Sequence, residues 1–358
     1  MRKRGRAPAG TMEQAAMDSD GGDNPDLARF SRAIDYFNLM PLWERRTPMA
    51  PGSPCVPALW RYAELKPLLL EAARLITKRQ AERRVLVLEN PSLKGSTFIT
   101  QSLYAGLQII LPGEIAASHR HSPSALRFIV EGQGAYSAVA GERVTMSPGD
   151  FIVTPNWSWH DHGNLGTEPV VWLDGLDTPF AKFFGAMFRE DHTQERQPNS
   201  HAEGEAASRY GANLLPVDSE RAALASPLLR YPYDRSRAAL ALLARNSDLD
   251  PVHGARLRYA NPATGGHPFP TMAVFLQLFP AGFAGKPCRA TDGTVYAVAE
   301  GEGHAEIGGQ RHAFTAHDIF VVPPWCPFAF NAKQETVLFS YSDRAGQEAL
   351  GFWRESRD

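Results

Sequence analysis

Cysteine is scarce: Cys55, Cys288 and Cys326 are the only three in 358 residues, and no two form a CxxC pair. Spread this widely they make no disulfide framework, which fits a reducing cytoplasm. Long apolar runs are missing too. No stretch approaches the roughly 20 residues of a transmembrane helix. The basic start from Met1 to Arg6 has no apolar stretch behind it, so it is not a secretory signal. Neither sign of charge dominates: 37 Lys and Arg face 39 Asp and Glu, a net charge of −2. Such a chain has no global basic field to hold nucleic acid or an anionic membrane. What remains is 43% hydrophobic residues, enough for a real core. At roughly 100–200 residues per domain, the length predicts two domains or one large one.

Residues 1–24, rich in Gly, Asp, Ala and charge, are expected to be a disordered tail. A helical segment over 25–92 follows. Asn24-Pro25 reads as an N-cap with proline in the first helical position, and Leu27, Phe30, Ile34 and Phe37 keep helical spacing. A second helix is predicted around Glu64 to Arg79, with Leu65, Leu68, Leu69, Ala72, Leu75 and Ile76 on one face. From Arg84 the texture becomes short β-rich runs between Gly and Pro, including Val85–Leu88, Phe98–Leu107, Phe128–Val130, Phe151–Thr154 and Val170–Leu173. These predict an all-β barrel or sandwich over 93–190. Residues 191–265 read as a linker with a capped helix at Asp234–Arg245. A second β block spans 266–345, and 346–358 is a tail.

The two β blocks are a diverged repeat. Gly113, His119 and Gly132 recur as Gly282, Cys288 and Gly301 at an offset of 169. Pro155, Trp157 and His160 recur as Pro323, Trp325 and Phe328 at an offset of 168, as one deletion between the motifs would produce.

His119 and His121 stand two apart, so on a strand both imidazoles point to one face. His160 lies on a later run able to lie antiparallel beside them. Three neutral imidazoles suit Fe, Zn, Cu or Ni, and three protein ligands leave the open positions of a catalytic site. In the second block, Cys288, Arg289, Ala290 and Phe328 replace the ligand set. That block is expected to hold no metal and to be filled with apolar side chains such as Phe320 and Val322.

The spaced pattern Gly113-x5-His119-x-His121-x3-Ala125-x6-Gly132 resembles the first cupin motif. Gly149-x5-Pro155-x-Trp157-x2-His160-x3-Asn164 resembles the second. The usual Glu ligand is Ala125 here, and a usual Gly is Trp157. The missing carboxylate favours the three-histidine cupin dioxygenases over cupins that use that Glu. The runs Ser102–Glu114, Ser118–Gly132 and Gly149–Asn164 resemble gentisate 1,2-dioxygenases, a family with close relatives acting on salicylate and 1-hydroxy-2-naphthoate. The resemblance extends over about residues 25–355. It implies a mainly β bicupin, two jelly-roll barrels behind an N-terminal helical segment. It further implies a homotetramer, one Fe(II) per chain, and O₂-dependent ring cleavage between the carboxyl- and hydroxyl-bearing carbons of a small aromatic hydroxy acid. Two other readings stand beside it: a non-catalytic bicupin that binds an aromatic acid, and a three-histidine dioxygenase with another substrate.

Strand parity and the resemblance together nominate the residues around the metal. Arg127 either holds the substrate carboxylate bidentately or pairs at the surface with Glu131 or Glu142. His162, two after His160, either meets a substrate oxygen as acid, base or hydrogen-bond partner, or is a structural histidine. Tyr104, Gly106 and Gln108 alternate along one strand and line the pocket. Tyr104 stacks on or bonds the substrate, or packs in the core, and Gly106 leaves room for the ring. Asp174 accepts from a ring hydroxyl or is a turn residue before Gly175. Trp172 is placed with the substrate contacts. Arg79 and Arg83 end the second helix, and close the pocket or cap the helix C-terminus.

Overall fold

The computed structural model describes residues 24–77, 80–212, 214–217 and 224–357. The expected disordered tail lies outside the described residues except for Asn24. Residues up to Ala50 form a unit of their own, and Pro51–Asp358 form another. In the first unit the side chain of Asn24 accepts from the backbone N–H of Asp26 and Leu27, and Pro25 opens a helix that runs to Tyr36. This cap is where the dipeptide placed it.

The second unit begins with strand β1 (Ala58–Trp60), helix Tyr62–Leu75 and strand β2 (Arg84–Val87). The helix is shorter than expected. It stops at Leu75 with Ile76 extended, so Arg83 does not cap it and instead precedes β2. Arg79 lies outside the described residues.

The first barrel is built from β3 (Tyr104–Ile110), β4 (Ile115–His121), β5 (Ala125–Glu131), β6 (Ala135–Val139), β7 (Glu142–Thr145), β8 (Phe151–Thr154), β9 (His160–Asn164), β10 (Val170–Leu176), β11 (Arg189–Asp191) and β12 (Arg230–Tyr231). One sheet runs β12-β8-β5-β10-β3-β2, and its partner runs β11-β4-β9-β6-β7. The second barrel holds β13 (Ala255–Arg258), β14 (Ala273–Phe279), β15 (Arg289–Ala290), β16 (Thr294–Glu300), β17 (Glu302–Ile307), β18 (Gln310–Thr315), β19 (Ile319–Val322), β20 (Phe328–Ala332), β21 (Thr336–Ser342) and β22 (Glu355–Ser356). Its large sheet runs β1-β19-β16-β21-β14-β13 and its small one β18-β17-β20.

The sheets reach beyond the bounds drawn from sequence. β2 comes from the helical segment and β12 from the expected linker, yet both pair into the first barrel. β1 pairs with β19 of the second. The helix near 240 runs Tyr233–Asn246 after an extended Pro232 without a side-chain cap, so Asp234 sits in its first turn rather than capping it. The run predicted to begin at Phe98 becomes strand only at Tyr104, because residues 99–102 form bends.

The repeat is a repeat of structure. Gly113 and Gly282 have φ of 77° and 78°, and Gly132 and Gly301 both have 87°. A Cβ at Gly132 would lie 2.4 Å from the Pro169 carbonyl oxygen, so only glycine fits. Trp157 and Trp325 also share the left-handed region, at 57° and 59°. Each donates its N–H to equivalent positions of the repeat: Trp157 to His121 O at 2.8 Å, and Trp325 to Ala290 O at 2.6 Å. The strained turn therefore closes the same loop in both barrels.

The large sheets face each other over one shared core. Leu107, Phe128, Phe151 and Leu173 of the first meet Leu276, Val295, Val321 and Phe339 of the second. Phe128 stacks on Phe339 with centroids 4.3 Å apart. Inside the second barrel, Tyr296, Phe314, Phe320, Val322 and Phe330 are buried together, the apolar filling expected of it. The inside of the first barrel is different. Apolar residues such as Ile129, Ile152 and Trp172 fill one part, and histidines and charged groups occupy the rest.

Candidate active site

Antiparallel pairing of β4 with β9 sets His119 opposite His160 in register. His121 follows two residues later on the same face. The metal-binding atoms of His119, His121 and His160 lie within 4.8 Å of one another. The ring centroids are 4.3 to 5.3 Å apart. Nδ1 of His121 lies 2.8 Å from Pro123 O, and Nδ1 of His160 lies 2.9 Å from Ser158 O. Because a carbonyl only accepts, each Nδ1 carries the proton and each Nε2 keeps its lone pair for a ligand bond. His119 Nδ1 has two neighbours, Ala117 O at 3.3 Å and Arg83 Nη2 at 2.6 Å. A guanidinium only donates, so metal binding through Nε2 of His119 requires Arg83 to release Nδ1 to the carbonyl.

Burial keeps all three rings neutral. It holds His119 down at about 2, helped by the charge of Arg83, and His121 at about 4. His160 lies well below the ordinary value for the same reason. Neutral imidazole is the ligating form, so the donor set fits a divalent metal without losing protons first. Among the described residues no carboxylate joins the three: the position of the usual cupin Glu is Ala125, buried at the start of β5.

Behind the triad, β5, β10 and β3 bring the other nominated residues together. Asp174 pairs in register with both Arg127 and Gly106, and Trp172 pairs with Gln108. Arg127 is only 4% exposed. Its Nε forms an ion pair with Asp174 Oδ1 at 3.3 Å without hydrogen-bond geometry, and its Nη1 donates to Thr154 Oγ1 at 2.6 Å. Neither contact engages Nη2. The surface pairing is excluded, because Glu131 meets Lys66 and Glu142 accepts from the backbone of Gly204 and Ala206. Burial lowers Arg127 to about 10, with Asp174 opposing the shift, so it stays charged at neutral pH. Asp174 is a strand residue, not a turn residue. Its Oδ1 accepts from Trp172 Nε1 at 3.0 Å, and burial raises its pKa to about 6 against the pull of Arg127.

His162 is buried beside these groups. Its Nδ1 lies 2.9 Å from Ser137 Oγ, while its Nε2 has no partner among the described residues. The register of β6 with β9 sets Ser137 opposite His162. Tyr104 is half-buried, and burial and the charge of Asp174 raise its phenol. A Cβ at Gly106 would lie 2.7 Å from the Tyr104 hydroxyl and 2.6 Å from Val85 Cγ1, so the glycine is what lets Tyr104 fold over the strand. Arg83 reaches the site from just before β2 and also meets Glu82 at 2.5 Å. Thr154 and Ser137 were not singled out from the sequence. Nothing but strand register marks them, and register is invisible in a single chain.

A family model for the cupin domain matches residues 106–175, which contain all three histidines. Over 332 residues the chain is 48% identical to gentisate 1,2 dioxygenase 1 of Aquipseudomonas alcaligenes, covering 92% of this chain and 96% of that one. The chain belongs to the gentisate 1,2-dioxygenase family. Members of this family are ring-cleaving dioxygenases, and they include a 5-aminosalicylate 1,2-dioxygenase of a Comamonas species, 33% identical over 92% of this chain and 90% of that one. The solved salicylate 1,2-dioxygenase of Pseudaminobacter salicylatoxidans superposes with a TM-score of 0.88 at 33% identity, covering 94% of this chain and 99% of that one. The same enzyme in a gentisate adduct matches equally well, with a TM-score of 0.88 at 32% identity over 97% of both chains. These gentisate-family matches account for both barrels. Among the described residues no helix is long and apolar enough to cross a membrane.

Proposed function

We propose that His119, His121 and His160 hold one Fe(II) per chain. In this reading the chain uses O₂ to open the ring of gentisate or a closely related 2-hydroxybenzoate between the carboxyl- and hydroxyl-bearing carbons. The observation that carries this is a purely neutral three-histidine set beside a buried arginine with an uncommitted edge. Bound iron would supply the redox-active centre at which substrate and O₂ meet. The chain's own residues do the rest. Nη2 of Arg127 accommodates the substrate carboxylate, while Asp174 and Thr154 hold the guanidinium plane in place. Nε2 of His162 serves the phenolic oxygen of the substrate, with Ser137 fixing the ring. Gly106 and Tyr104 bound the space for the aromatic ring. The relatives' names support gentisate and salicylates as the substrate class. A homotetramer in the cytoplasm completes the reading, on family resemblance.

The test is anaerobic loading with Fe(II), then O₂ uptake with gentisate, salicylate and 1-hydroxy-2-naphthoate side by side. One iron per chain and turnover of at least one acid are expected. His160→Ala should lose the iron and all turnover while keeping its fold by circular dichroism. Full activity with Zn²⁺ alone would overturn the metal assignment, and no uptake with any acid would favour a non-catalytic binder.

A further inference from the structure

The second barrel has lost its ligands but not its polarity. A cleft of about 440 Å³ opens on it, within the size range of small-molecule sites, and His253, Arg256, Phe275 and Trp353 are among its lining residues. Arg256 is on β13 and pairs in register with Gln277, as Val85 pairs with Gln108 in the first barrel. Gln108 and Gln277 are themselves separated by the repeat offset of 169. Arg256 therefore stands at the edge of the region equivalent to the first barrel's pocket.

Its surroundings leave Arg256 unanswered. Among the described residues it makes no hydrogen bond or ion pair, and its Nε is buried without a partner. Its guanidinium lies over the Phe275 ring, 3.8 Å from Cζ to centroid. The other charges of the cleft are engaged. Arg357 binds Asp250 at 2.6 Å and Glu355 at 2.5 Å. Arg344 binds Glu348 at 2.7 Å, and Arg258 donates to Gly265 O at 2.8 Å. Asp248 is exposed at the rim. His253, only 6% exposed, has neither ring nitrogen hydrogen-bonded, since Glu355 is 3.8 Å away. Arg256 is half-buried, with the carboxylates of Asp292 and Glu355 acting on it from a distance, and its N–H groups remain free to donate into the cleft.

We propose that this cleft binds the carboxylate of a small aromatic acid, with Arg256 and His253 meeting the carboxylate and Phe275 and Trp353 walling the ring. The site is separate from the histidine triad and does not depend on ring cleavage. A metal ion is the rival occupant, because donor atoms of His253, Cys288 and Glu355 lie within 4.8 Å of one another. Arg256 decides against it. It shares a small cavity of about 20 Å³ with His253 and Glu355, so a divalent cation there would face an unpaired positive group.

Benzoate is the probe, since it carries the carboxylate but lacks the hydroxyl needed for two-point chelation at the triad. Calorimetric titration of the iron-loaded protein should show a benzoate site that persists in Arg127→Lys and weakens at least ~10-fold in Arg256→Met, the loss of one charge-assisted bond. Crystals soaked with 4-bromobenzoate should give a bromine anomalous peak beside Arg256, a readout that needs no variant. The proposal is overturned if benzoate does not bind, if binding is lost in Arg127→Lys but kept in Arg256→Met, or if bromine appears only at the triad. It is equally overturned if sulfate displaces benzoate at matched concentration, which would mean a general inorganic-anion site, or if Zn²⁺ adds a second tightly held equivalent that Cys288→Ser removes.

Discussion

At the residue scale, the site depends on groups that act in pairs. In the proposed role of Arg127, the Thr154 hydrogen bond and the Asp174 ion pair position the guanidinium and leave Nη2 over for a carboxylate. A charge-assisted hydrogen bond contributes about 1.5–3 kcal/mol, so Arg127→Lys should lower kcat/KM for gentisate at least ~10-fold: a point charge lacks the planar fork. Arg127→Ala should do the same and also leave Asp174 buried and unpaired, a loss of roughly 3–5 kcal/mol in stability. Arg127→Met with Asp174→Asn removes both charges, so it should recover much of the stability and none of the activity. Steady-state kinetics and denaturant melts of the three variants separate binding from folding. Wild-type kcat/KM in the iron-loaded Lys variant would place Arg127 outside the substrate contacts. The His119, His121 and His160 set was legible because i and i+2 spacing survives in the sequence. The partners Ser137 and Thr154 were not, because each is selected by a neighbour on another strand.

At the scale of elements, Asp177 joins parts far apart in the chain. It follows β10, accepts from the Ser124 N–H at 2.8 Å just before β5, and accepts from the Thr271 hydroxyl just before β14. Burial raises its pKa to about 6, with those two bonds opposing. The unfolded value is about 3.9. The folded protein therefore holds this proton more tightly, and the carboxyl's contribution to stability is fully present below about pH 4 and is lost as pH rises through about 6. Asp177→Asn cannot titrate. Its stability relative to wild type should increase by on the order of 2 kcal/mol between pH 4 and pH 7, read from denaturant melts of both proteins. A difference that stays flat across that range would show that Asp177 does not titrate in it. The elements also show where sequence patterns fail. Helix Tyr62–Leu75 ends where Ile76 becomes extended, although the apolar face of the helical pattern continues through Ile76. β12 is too short to announce itself and exists because β8 offers it an edge.

At the scale of the whole molecule, the two barrels share one core rather than touching at a surface. Phe339 stacks on Phe128, and Tyr341 of the second barrel donates to the backbone carbonyl of Tyr104 at 2.8 Å, on the strand that lines the site. Calorimetric unfolding of the metal-free chain should therefore show one transition for Pro51–Asp358. Phe339→Ala should lower it as a unit, at a cost of roughly 3–5 kcal/mol. Two transitions, with only one moved by Phe339→Ala, would show that the barrels fold independently.

The sequence by itself determined the repeat, the bicupin class and the three-histidine cluster. Those features rest on local spacing: two residues along a strand, glycines at turns that need positive φ, and an offset kept across a duplication. Tertiary structure decided what depends on contact between distant segments. It drew β1 and β2 from one stretch of chain into different barrels, paired Asp174 with Arg127, and brought Arg83 from beyond a helix end to His119. It also left the Nε of a half-buried Arg256 without a hydrogen-bond partner in a barrel whose ligand positions had read as empty. Register and burial are properties of the packed chain, and no run of adjacent residues encodes them.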